Sequence, residues 1–95
     1  IVTEKLFGDI VSDEVSVLAG ALGMLPSASH AEKGPSCYEP IHGSSPVFAG
    51  KNKANQIAMM RSVSMMLVQS FGLPREGYAI EEAVSAVLKS GKCTE

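Results

Sequence analysis

The stretch from residue 52 to 71 sets the hardest condition on any fold of this chain. It reads as one long helix, and Ile57, Met59, Met60, Val63, Met65, Met66 and Leu67 leave it apolar almost all round. A helix of that kind has to be buried on most sides. The other elements legible in the sequence are thin cover for it. Residues 7–18 pattern as an amphipathic helix, with Phe7, Ile10, Val11 and Leu18 on one stripe and Asp9, Ser12, Asp13 and Ser16 on the other. Residues 75–89 pattern as a surface helix on Ile80, Val84, Val87 and Leu88, closed by Gly91. Only short strand candidates remain, at 1–3, 24–29 and 37–41, separated by polar loops at 30–36 and 42–53. Other chain segments are therefore expected to pack here. Both ends read as cuts in a longer chain, and 95 residues fit one small domain at most.

Composition narrows the classes. Hydrophobic residues make up 45%, enough for a core and too many for a disordered chain. A formal net charge of −2, with no basic stripe, argues against nucleic acid as a partner. Arg61, Ser62 and Ser64 interrupt the longest apolar run, so no membrane span is expected. Cys37 and Cys93 have no zinc spacing and read as free thiols in a reducing compartment, cytoplasmic or organellar. Cys37, beside Tyr38, reads as a small buried residue, and the methionines as core filler. His30 lies in a polar loop and is expected to be solvated.

Two constellations carry chemistry. Asp9 and Asp13 stand four apart, one helical turn from each other on the same face. Like charges so placed repel, and a divalent cation with oxygen ligands is the natural compensation. The plainer reading is a solvated face, with Asp9 close to a helix start where the macrodipole favours an anion. Two carboxylates are too few for a tight site, so a third would have to come from elsewhere.

The second constellation is His42-Gly-Ser-Ser-Pro46, continuing through Gly50 to Asn55. Gly43 lets a ligand approach the backbone, and Ser44 and Ser45 can donate to oxygens. His42 offers a ring for stacking, and Asn55 an amide able to read an adenine edge. The plainer reading is an ordinary turn, with Asn52 or Asn55 capping the next helix. Neither a GxGxxG nor a GxxxxGK[ST] phosphate loop is present.

In this order, Leu6-Phe-Gly-Asp-Ile-Val-Ser-Asp-Glu14, Gly23-Met-Leu-Pro-Ser-Ala-Ser29, Tyr38-Glu-Pro-Ile-His-Gly-Ser44 and Ala49-Gly-Lys-Asn-Lys-Ala-Asn55 closely resemble the β-decarboxylating dehydrogenases, the isocitrate/isopropylmalate family. The Leu25-Pro-Ser-Ala-Ser29 stretch resembles the isopropylmalate branch more than the isocitrate branch. The resemblance implies an α/β, isopropylmalate dehydrogenase-like two-domain fold, of which this chain is the C-terminal part. Residues 1–20 would end the small, dimer-forming and metal-binding domain, and residues 21–95 would belong to the large, cofactor-binding domain.

It further implies an enzyme that oxidises a 2-hydroxy acid with NAD or NADP and Mg²⁺ or Mn²⁺, then releases CO₂. On that reading Asp9 and Asp13 are metal ligands, joined by an aspartate of a homodimer partner. The metal stabilises the enolate left by decarboxylation. His42, Gly43, Ser44, Ser45, Val47 and Asn55 fall where the family holds the adenosine half of the cofactor, outside any Rossmann motif.

Two positions depart from the family pattern. NAD-using members usually carry Asp where this chain has Val47, and the family usually has Pro at the helix start where it has Gln56. Losing a charge-assisted hydrogen bond to the ribose costs about 1.5–3 kcal/mol, roughly ten- to a hundredfold in affinity. The family's substrate arginines, catalytic Tyr and Lys and third aspartate would lie upstream of residue 1. No catalytic residue is expected in this chain, and none of its activity without the rest.

Overall fold

The computed structural model describes residues 3–92 and Thr94. The strand expected at 1–3 falls mostly outside them, and Thr3 is not in a strand. Helix α1 spans Lys5–Ala19 and ends where Gly20 turns left-handed at φ 95°, its N–H returning to Val17 O. A 3-10 turn, Leu22–Met24, leads into strand β1 (Pro26–Ser29), which pairs antiparallel with β2 (Cys37–Pro40). The register sets Pro26 opposite Pro40 and Ser29 opposite Cys37, with Ser27 Oγ adding a bond to Glu39 O at 2.9 Å. Pro26 and Pro40 face each other at a non-hydrogen-bonded position, so no ladder N–H is lost, and Ile41 N–H donates to Leu25 O at 3.3 Å just beyond them.

Helix α2 (Ile57–Gln69) is the hub, touching both strands, the Leu22–Met24 turn and helix α3 (Pro74–Lys89). It begins five residues later than the periodicity suggests. Gly50 and Asn52 hold left-handed backbone (φ 71° and 54°), which no helix accommodates. Asn55 Oδ1 accepts the Ile57 N–H at 3.0 Å, a local turn that braces the helix start, but the N-cap itself is Gln56, so neither Asn52 nor Asn55 caps α2. At the other end Tyr38 Oη and Ser70 Oγ, 2.7 Å apart, tie β2 to the end of α2.

The centre is small and partly polar. Ala58 is fully buried, flanked by Ser62 and Ser64. Ser62 Oγ donates to Ala58 O and Ser64 Oγ to Gly77 O, both at 2.8 Å, so neither hydroxyl is left unpaired. Gly77 is required by the approach of α3. A Cβ there would stand 2.5 Å from Val68 Cγ2 and 3.0 Å from Ser64 O.

Three expectations about burial are corrected. Cys37 is exposed, because the strand alternation turns Tyr38 rather than Cys37 inward. Helix α2 is not covered on most sides, since Met59, Met60 and Val63 remain exposed. Helix α1 turns its small residues inward. Ser16 is buried and Gly8 and Ser12 half-buried, while Phe7 is 57% and Leu18 87% exposed. The reason is supply: within the chain α1 rests chiefly on Leu22–Met24, too little to cover an apolar stripe.

Candidate functional site

The carboxylate pair sits in the middle of α1 rather than at its start, since the first turn holds no acidic residue. The dipole therefore does not explain Asp9. The partner it has is Lys5, four residues back, with Nζ 3.5 Å from Oδ2. Both side chains are largely exposed, so the pair contributes little stability. Asp13 is exposed one turn further along the same face. Ser12 Oγ bonds back to Asp9 O, and Ser16 Oγ to Asp13 O, so the neighbouring hydroxyls are spent on the backbone. Two exposed carboxylates one turn apart suit a hard cation as half of a ligand set. Among the described residues no group of three His, Cys, Asp or Glu completes it.

The serine loop has more structure than its composition suggests. His42 Nδ1 donates to Gly43 O at 2.9 Å, which leaves Nε2 as an acceptor in the neutral ring. A side chain at Gly43 would stand in open space, so no protein atom requires a glycine there. Ser45 is left-handed at φ 40° and opens a second 3-10 turn, Pro46–Phe48, whose Phe48 N–H returns to Ser45 O. Ser44 and Ser45 line a concavity of about 290 Å³ together with Asn52, Gln56 and residues 48–50. His42, Gly43 and Val47 lie outside it, and Val47 is 63% exposed. Asn55 lines a larger groove of about 1040 Å³ instead, walled by Ile57, Met60, Ile80 and Val84. The walls of that groove are mainly the apolar faces of α2 and α3, with Asn52, Asn55, Gln56, Lys92 and Thr94 as its polar groups.

The structure thus sets Ser44 and Ser45 on one concavity and Asn55 on the adjoining groove, with Asn52, Ala54 and Gln56 lining both, and leaves His42, Gly43 and Val47 on neither. One element joins the candidate halves. Helix α1 rests on Leu22–Met24, and the Asn55 carboxamide backs onto the same turn, Nδ2 lying 3.9 Å from Met24 Sδ. Sequence reasoning missed what holds that turn. Arg61 reaches from α2 to Met24 O and to Glu81 of α3. Its signal in the sequence is a lone charge in an otherwise uncharged helix, which periodicity marks only as an interruption of the apolar run.

The family model described as isocitrate/isopropylmalate dehydrogenase matches residues 1–95. A 3-isopropylmalate dehydrogenase of Bacillus cereus is 87% identical over 94 residues, 99% of this chain and 27% of that protein. One from Listeria monocytogenes is 62% identical over the same shares. The chain thus spans about a quarter of the length of these relatives. Among solved structures, isocitrate dehydrogenase from Methylococcus capsulatus superposes with a TM-score of 0.82 at 38% identity, over 94% of this chain and 26% of that one.

Proposed function

The chain belongs to the isocitrate/isopropylmalate dehydrogenase family, and from this we propose that it is part of an enzyme that oxidises and decarboxylates 3-isopropylmalate with NAD in leucine biosynthesis. The observation that carries the substrate is the 87% identity to a 3-isopropylmalate dehydrogenase, with the family's motifs in order from Asp9 to Asn55. We read residues 1–20 as the end of the small domain and 21–95 as part of the large one, the substrate lying between them. The exposed apolar stripe of α1 is the natural contact for a homodimer partner, which would also supply the third carboxylate. The setting is cytoplasmic. Among the described residues no helix is long and apolar enough to cross a membrane.

In this reading Asp9 and Asp13 hold Mg²⁺ or Mn²⁺. When bound, the ion supplies Lewis-acid stabilisation of negative charge on substrate oxygens. Lys5 gives up its partner Asp9 on loading, a small exchange because both are exposed. His42, Gly43, Ser44, Ser45 and Asn55 take the adenosine half of NAD. The Asn55 carboxamide still has one N–H and one lone pair for a base after Ile57 and Met24 are served.

Val47 favours a second reading, a non-catalytic homologue, because it supplies no hydrogen bond where NAD users place Asp. Isocitrate, homoisocitrate and tartrate dehydrogenation are the alternatives within the family. The deciding experiment follows nicotinamide reduction by the full-length parent with Mn²⁺, offering NAD and NADP with 3-isopropylmalate and with isocitrate. Turnover of 3-isopropylmalate with NAD is expected. A folded dimer that turns over neither substrate supports the non-catalytic homologue.

A further inference from the structure

Helix α2 carries one charged side chain, and that side chain is committed on both sides. Arg61 Nε donates to Glu81 Oε2 at 3.0 Å and to Oε1 at 3.4 Å, and Nη1 donates to Met24 O at 2.9 Å. One guanidinium therefore fastens α2, α3 and the Leu22–Met24 turn together. The Arg61 and Glu81 side chains are only 32% and 36% exposed, so these are partly desolvated, charge-assisted bonds. The same turn backs the Asn55 carboxamide. Asn55 Nδ2 lies 3.9 Å from Met24 Sδ and 3.7 Å from where a Cβ on Gly23 would stand. Its Oδ1 is fixed to the start of α2 by the Ile57 N–H.

We propose that Arg61 is a positioning residue for nucleotide binding: by pinning Met24 it holds the wall against which the Asn55 carboxamide is set. The inference rests on the reading of Asn55 as a nucleotide contact given above. An apolar residue of similar length at 61 fills the space along α2 but leaves Met24 O without its donor and Glu81 without its cation. The turn is then free to shift, and the carboxamide with it.

The test uses the full-length parent enzyme and its steady-state kinetics. Arg61→Met should raise the KM for NAD about three- to tenfold, with kcat at saturating NAD and the KM for 3-isopropylmalate unchanged. Arg61→Lys, which keeps a donor for Met24 O, should restore part of the loss. In an Asn55→Ala background Arg61→Met should add little, because both act through one contact. If Arg61→Met does not fold, Glu81→Gln carries the same expectation at smaller size, since it loosens the guanidinium without emptying the space. An unchanged KM for NAD in the folded variants overturns the proposal, as does an increase that persists in full in the Asn55→Ala background. A KM that responds to Asn55 but not to Arg61 overturns the positioning role alone. A KM indifferent to Asn55 overturns the loop reading with it.

Discussion

Val47 is where a single side chain has the largest expected effect. It follows Pro46 in the turn that Ser45 opens, and it is well exposed, so a replacement meets no packing constraint. Its side chain can neither donate nor accept a hydrogen bond. Val47→Asp in the full-length parent should therefore lower the KM for NAD roughly ten- to a hundredfold, the factor for one charge-assisted hydrogen bond. Stability should be unaltered, as is usual for an exposed position. An unchanged KM for NAD in that variant would remove position 47 from the cofactor site. Asn55 teaches a different lesson. Its side chain braces the start of α2 from one residue ahead of the cap, and this leaves groups free for a ligand.

Among the elements, α2 and α3 depend on a contact that no pattern in the sequence announces. Gly77 lies in the first turns of α3, where a glycine weakens a helix. It is tolerated because α3 approaches Ser64 and Val68 too closely for any side chain. Gly77→Ala should destabilise the parent by about 1–3 kcal/mol through overpacking, despite the better helix propensity of alanine. Thermal unfolding would show a lowered Tm, and a raised Tm would mean that α3 is free to move away. Helix α1 shows the opposite case. Its existence and its end at Gly20 follow from periodicity and a left-handed glycine, but its inward face does not. Periodicity states which residues share a side. It does not state which side the available partners reach.

For the chain taken together, the surface area speaks to completeness. It exposes 7315 Å², against about 5,200 Å² for a compact monomer of its mass. Exposed apolar side chains lie along α1, and others line the α2–α3 groove. The isolated 95-residue chain should therefore self-associate, show no turnover and bind Mn²⁺ only weakly, since two carboxylates are half a ligand set. Light scattering, an activity assay and a Mn²⁺ titration check this, and turnover by the pure chain would refute it. Three helices, two short strands and the two motif-bearing segments could be read from local order, because spacing and turn residues act over a few positions along the chain, whereas the pairing of the strands could not. The carboxylate pair and the serine loop stand out as candidates in the same way, because their residues lie close together along the chain. The late start of α2, the outward apolar face of α1, the close seat of Gly77 and the reach of Arg61 to Met24 could not be read so. Each depends on which surfaces meet in space, and that is set by the sum of distant contacts rather than by any neighbour in the chain.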